Sequence, residues 1–179
     1  MNLAVVSELK LVGVVLTNNL KWQQNTNYIC EKATQKLLTL RRLKRLTFDD
    51  CKIFDVYTKE VRSLLELAVP VWHSGLTKQQ SAQIERIQKT AFRIILDDDS
   101  ISYDVACTLL GAEPLEYRRV QLCINFAKKD VKKESSIFTT NTRITTTRRP
   151  PKLVREVKCR TQRYEKSSMP YLAKLSNKQ

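Results

Sequence analysis

Thr77-Lys-Gln-Gln-Ser-Ala-Gln-Ile84-Glu-Arg-Ile87-Gln-Lys-Thr-Ala91-Phe-Arg-Ile94-Ile95 is the stretch that decides the fold. Thr77 followed three residues later by Gln80 is a capping box, in which each side chain satisfies a backbone N–H of the other. Ile84, Ile87, Ala91, Ile94 and Ile95 then recur at helical spacing, so one stripe is apolar and the rest polar. Arg86, Lys89 and Arg93 lie opposite much of that stripe. The spacing predicts an amphipathic helix from Lys78 that Asp97-Asp98-Asp99 breaks.

The same period extends in both directions. Ile29, Ala33, Leu37, Leu40 and Leu43 predict a helix over about residues 25–46. Thr47 with Asp50 reads as a second capping box. It opens a helix through Ile53, Val56, Tyr57, Val61, Leu64, Leu65 and Ala68, which Pro70 kinks or stops. Ser102 caps a short helix that ends at Gly111, and Pro114 starts a fifth helix carrying Leu115, Val120, Leu122, Cys123, Phe126 and Ala127. Only the N-terminus has strand character: Leu3–Val6 and Leu11–Leu16 predict a hairpin turning at Ser7-Glu8, with Gly13 as a bulge or a close backbone approach. The predicted fold is therefore mainly α, an N-terminal β-hairpin followed by a bundle of about five helices. Three glycines and five prolines in 179 residues agree, since an all-β chain needs more turns.

After Ser135 the composition changes. Thr139-Thr140-Asn141-Thr142, Thr145-Thr146-Thr147 and Arg148-Arg149-Pro150-Pro151 predict a linker in a loosely attached tail, with a short helix near Ser167–Leu175. The net charge is +14, and it is uneven. Residues 128–179 hold 15 Lys/Arg against 4 Asp/Glu, whereas residues 1–127 hold 17 against 14. A basic tail on a near-neutral body points to a polyanionic partner, with a solvated tail as the competing reading. No apolar run approaches the ~18 residues of a membrane span, so no membrane partner is expected. Cys30, Cys51, Cys107, Cys123 and Cys159 form no CxxC pair, which predicts reduced thiols in an intracellular compartment, nuclear or cytoplasmic.

Catalytic chemistry has little to work with. His73 is the single histidine, too few for a two-histidine iron site, and it reads as a loop cap beside Trp72. The cysteine spacing matches no structural zinc pattern. Asp97-Asp98-Asp99 follows a helix C-terminus, where negative charge is unfavourable, and reads as a solvated loop ahead of a weak divalent-cation contact. No enzyme, cofactor, metal or small-molecule substrate is expected. The basic side chains carry more. Lys32, Lys36, Arg41, Arg42, Lys44 and Arg45 crowd the first helix, and Arg86, Lys89 and Arg93 the third. Arg148, Arg149, Arg155, Lys158, Arg160 and Arg163 lie in the tail. Such faces can track a phosphate backbone without reading bases, or they can simply be solvated. Trp22 and Trp72 could stack on bases, but a tryptophan at a helix boundary is more often a packing anchor.

An ordered series of landmarks adds a resemblance. Leu11-Val12-Gly13-Val14 is followed by Asn18-Asn19-Leu20-Lys21-Trp22, Ala68-Val69-Pro70-Val71-Trp72-His73 and Glu85-Arg86-Ile87-Gln88-Lys89-Thr90-Ala91-Phe92-Arg93-Ile94-Ile95. The series resembles the C-terminal part of a reverse transcriptase from a LINE-type (non-LTR) retrotransposon. Leu11-Val12-Gly13-Val14 looks like the second half of the primer grip, with Val12 where the family often has an aromatic residue or Leu. Leu38–Leu46 and Val61–Trp72 resemble the thumb. Ser74–Ile95 and Leu109–Asn125 resemble the region beyond it, and Arg160–Tyr164 with Ser167 and Pro170-Tyr171-Leu172 resembles the close of such reading frames. The resemblance divides the chain into a hairpin (1–20), a thumb-like region (21–100), post-thumb helices (101–134) and a basic tail (135–179). It implies an RNA or RNA–DNA duplex partner. The fingers, palm aspartates and endonuclease are absent from it, so it implies a non-catalytic fragment, as in a truncated element. The alternative is a structural or protein-interaction helical module, or an inert remnant. The chain is similar also to the module known as the N-terminal region of AlkB-type tRNA-modifying oxygenases, but one histidine cannot furnish their iron site.

Overall fold

The computed structural model describes residues 6–132, 136–138, 154–155 and 158–177. The chain is mainly helical, with one N-terminal antiparallel hairpin. It divides into two compact units: Met1–Ala68 with Leu76–Arg118, and Val69–Gly75 with Arg119–Gln179.

The first unit begins with strands β1 (Glu8–Leu11) and β2 (Val14–Thr17), paired Glu8↔Thr17 to Leu11↔Val14. The turn therefore lies at Val12-Gly13, not at Ser7-Glu8. Both turn residues have positive φ, 48° and 82°, as a two-residue hairpin turn of the primed type requires. Gly13 is thus a turn residue rather than a bulge. It is also a close approach, because a Cβ there would stand 2.8 Å from Leu67 Cδ2. The expected strand at Leu3–Val6 falls mostly outside the described residues.

Helix α1 (Gln23–Arg45) and helix α5 (Lys78–Leu96) form the backbone of this unit. They run side by side in the same direction. Gln80 bonds Gln23 at 3.2 Å and Gln83 bonds Asn27 at 3.3 Å near their starts, and Lys44 Nζ donates to the Ile95 carbonyl at 2.6 Å near their ends. The capping box of α5 forms as its sequence predicts: Gln80 N–H donates to Thr77 Oγ1 at 3.2 Å and Thr77 N–H to Gln80 Oε1 at 2.8 Å. Ile84, Ala91 and Ile95 of the stripe are buried, as are Ala33, Leu37 and Leu40 of α1, the helix packed on α5.

The expected capping box at Thr47 does not form. Thr47 sits at φ 55°, in the left-handed region just past the end of α1. Its N–H donates to the Lys44 carbonyl, and Phe48 N–H to that of Leu43, which is the hydrogen-bond pattern of a Schellman cap. Asp49 takes the N-cap position of α2 (Asp50–Val56) without a side-chain capping bond. A β-branched residue is strained in the left-handed region, where glycine is not. Thr47→Gly should therefore raise stability by about 1 kcal/mol, read as a higher melting temperature. An unchanged or lower melting temperature would show that the strain is offset. Gly111 plays the same part after α6 (Tyr103–Leu109) without strain, at φ 58° with Ala112 N–H on the Cys107 carbonyl.

After α2 the helix widens into a π turn, Tyr57–Arg62, before α3 (Ser63–Leu65). Ile53, Tyr57, Val61 and Leu65 are all fully buried and lie four residues apart. In a regular α-helix that spacing drifts about 40° per step. The widened turn rotates less per residue and returns the row to the core. The helix stops before Pro70 rather than kinking through it, since Ala68 has φ 51°.

A buried polar network closes the unit. Tyr57 OH donates to Gln88 Oε1 at 2.6 Å. Gln88 Nε2 donates to Tyr103 OH at 2.8 Å and to the Glu113 carbonyl at 2.9 Å. Tyr103 OH in turn donates to Glu85 Oε1. The Glu85 carboxylate also accepts from Leu115 N–H and Glu116 N–H, at 2.9 and 3.2 Å. It thereby meets the free amides at the start of α7 (Leu115–Val131) with an anion, the favoured charge there. Arg118 Nε holds Glu66 Oε1 at 2.6 Å, tying the start of α7 to the residue after α3.

In the second unit, α4 (Val69–Trp72) leads into a 3₁₀ turn at His73–Gly75. Trp72 is fully buried, as are Cys123, Ala127, Val154, Leu172 and Ala173. The packing-anchor reading of Trp72 holds. Helices α8 (Gln162–Glu165) and α9 (Ser168–Ser176) follow, and α9 buries Pro170, Leu172, Ala173 and Leu175. The short terminal helix is thus a packed element. Asn177 locks it further: its side-chain amide exchanges hydrogen bonds with the Val154 backbone at 2.9 and 3.0 Å. The expected linker over 139–151 lies outside the described residues.

His73 does not cap a loop through Nδ1, which is buried without a hydrogen-bond partner among the described residues. It is half-buried, with its ring 5.9 Å from that of Tyr171 in an edge-on contact. Burial, with Arg119 nearby, lowers its pKa from 6.5 to about 4. The unfolded chain takes up a proton below about pH 6.5 that the folded chain refuses until about pH 4. The His73 contribution is therefore complete above pH 6.5 and is lost as pH falls toward 4. His73→Gln should flatten the loss of stability measured between about pH 6.5 and 5. A parallel profile in the variant would assign that loss to other groups.

Candidate nucleic-acid interface

Two grooves flank α1. The first, about 490 Å³, runs between α1 and α5 and is lined by Asn27, Glu31, Thr34 and Gln35 on one side and Gln83, Arg86 and Ile87 on the other. The second, about 260 Å³, lies beneath the hairpin turn and is lined by Gly13, Tyr28, Ile29, Lys32, Gln35, Lys36, Leu64 and Leu67. Lys10 covers Tyr28 beside it. Its ammonium donates to the phenol oxygen at 2.6 Å and stands 4.3 Å from the ring centre. That hydrogen bond, and the charges of Lys10 and Lys32, lower the Tyr28 pKa.

The structure sorts the expected cations by what they already hold. Lys44 donates to Asp50 Oδ1 at 2.8 Å and to the Ile95 carbonyl, where it meets the negative end of the α5 dipole. Lys36 pairs with Glu60 at 2.7 Å, with both side chains about half exposed, a contact of little energetic weight. Lys89 leans over the Tyr103 ring at 4.8 Å. Arg41, Arg42, Arg45, Arg86 and Arg93 reach solvent, and among the described residues none of them is in an ion pair. Lys32 is exposed at the rim of the second groove. In the second unit Arg155, Lys158, Arg160 and Arg163 are exposed. Arg148 and Arg149 lie outside the described residues.

Of the residues that the resemblance assigned to a primer grip, Val14 is buried, whereas Leu11 and Val12 are 56% and 86% exposed at the tip of the hairpin. Asp97 ends α5 at φ 54°, and Asp98 accepts from Ser100 N–H and Oγ at 2.7 and 2.6 Å. Those bonds hold the Asp98 carboxyl below its usual pKa. The triplet is a helix stop and a turn, and among the described residues no group of three His, Cys, Asp or Glu could hold a metal ion. Among them, too, no helix is long and apolar enough to cross a membrane.

Lys10 and Tyr28 were not legible as a pair, because a strand and a helix eighteen residues apart must first fold together. Comparisons with protein-family models, curated proteins and solved structures find no match.

Proposed function

We propose that the chain is a non-catalytic helical fragment of a LINE-type reverse transcriptase that grips RNA or an RNA–DNA template–primer duplex. The resemblance of its landmark series supports the family. The observation that carries the binding is the set of solvent-facing arginines on α1 and α5, Arg41, Arg42, Arg45, Arg86 and Arg93, which lack counterions among the described residues. They sit on two helices held parallel by bonds at both ends. Rigid helix faces present cations at fixed spacing, which suits the regular phosphates of a duplex better than a flexible strand. Primer extension is not expected, because the landmark series contains no palm aspartates.

The deciding experiment is a titration of a labelled RNA–DNA duplex at about 50 and 200 mM salt. If about five phosphates are neutralised, affinity should fall roughly 500-fold over that range through counterion release. An affinity that is absent, or flat with salt, would overturn the reading in favour of a protein-interaction module. The exposed apolar residues of the hairpin, Leu9, Leu11 and Val12, are the feature that favours that second reading.

A further inference from the structure

Among the described residues the outer edge of β1 is open: the sheet has two strands, and β1 is exposed along its whole length. An unpaired edge with apolar side chains is a template for another strand. Asn18 N–H donates to the Ser7 carbonyl. By the alternation of an antiparallel ladder, Ser7, Leu9 and Leu11 then point their backbone groups toward β2. Glu8 and Lys10 point theirs outward. A strand added to this edge must bond to Glu8 and Lys10.

We infer that this edge pairs with the same edge of a second copy, antiparallel and with Leu9 at the two-fold axis. The register follows from charge. Two copies related by a two-fold axis, each using its outward groups, have three registers near the centre of β1. One places Glu8 opposite Glu8, and another places Lys10 opposite Lys10. The third places Glu8 opposite Lys10 twice, with Leu9 facing Leu9 between them. Like charges directly opposite are destabilising and unlike charges stabilising, so only the third register is self-complementary. It also sets Val6 against Val12, which are 59% and 86% exposed. The contact is isologous, as a closed two-fold dimer requires. A strand pair this short falls well below the ~1,200 Å² of a standard interface. The dimer is therefore a weak one, formed at high concentration.

The test is sedimentation of the full chain over a range of concentrations, for the parent, Glu8→Lys, Lys10→Glu and an equimolar mixture of the two variants. The parent should show a concentration-dependent dimer. Each variant alone places like charges opposite each other twice and should weaken dimerisation roughly tenfold. The mixture should restore it, because the wholly basic edge of the first variant meets the wholly acidic edge of the second. Restoration also shows that neither variant has simply misfolded. A parent that stays monomeric would overturn the inference, and so would variants that dimerise like the parent or a mixture that remains as weak as its components. The outcome is independent of nucleic-acid affinity, since no nucleic acid is present.

Discussion

Gln88→Leu should destabilise the first unit by about 3 kcal/mol. Leucine fits the volume but leaves the polar groups around it without their partner. Tyr57 OH loses its acceptor and the Glu113 carbonyl loses its donor. Tyr103 OH keeps Glu85 but loses the Gln88 amide. Tyr57 is fully buried and burial raises its pKa, so ionisation gives it no escape. An unmet buried donor or acceptor costs its desolvation, about 1–3 kcal/mol each. Urea denaturation should show a lower midpoint with an unchanged slope. Tyr57→Phe combined with Gln88→Leu should cost less than the two single changes added together, because both members of one bond then disappear. A midpoint within error of the parent would mean that water replaces the amide and that the network does not hold the helices together.

The network also shows where the sequence stopped being readable. Periodicity located α1, α5 and α7, because an apolar stripe at 3.6-residue spacing is a property of one segment. Thr77-x-x-Gln80 and Ser102 could be read as caps for the same reason: donor and acceptor lie within one turn. Gln88 stands inside the stripe of α5 and looks like an interruption until Tyr57, Tyr103 and Glu113 are brought to it from three other segments. Thr47 misled because a Thr-x-x-Asp pattern fits both a helix start and the end of the preceding helix. The Schellman bonds to Leu43 and Lys44 decide between them, and nothing in the local composition announces a β-branched residue at positive φ. The row Ile53, Tyr57, Val61, Leu65 did carry its signal, since a strict spacing of four over-rotates in a regular helix and calls for a wider turn. At the candidate interface the sequence supplied the cations but not their engagements. Lys36 and Lys44 hold carboxylates, and only the fold separates them from Arg41, Arg42 and Arg45.

Replacing Arg41, Arg42, Arg45, Arg86 and Arg93 together with Gln should lower RNA–DNA duplex affinity at about 150 mM salt by two orders of magnitude or more, and should flatten the salt slope by about 4.5. Gln keeps the long stem of each side chain and removes the charge, and none of the five is buried or paired among the described residues, so stability should stay within about 0.5 kcal/mol of the parent. The contribution of the C-terminal region needs a different design. Deleting residues 139–179 would remove α9, whose Leu172, Ala173 and Leu175 are buried, and would expose the core beneath them. Neutralising Arg155, Lys158, Arg160 and Arg163 with Gln avoids that fault, because all four are exposed. This second variant should weaken binding to single strands and duplexes alike, since cations outside the long helices have no fixed register on a duplex. The α1–α5 variant should lose duplex preference as well as affinity, because its cations are the ones fixed on rigid parallel helices. If the C-terminal variant alone abolished the preference for duplex, the assignment of geometry to α1 and α5 would be inverted. If neither variant differed from the parent, these arginines and lysines would be solvated surface, and the nucleic-acid reading would fall with them.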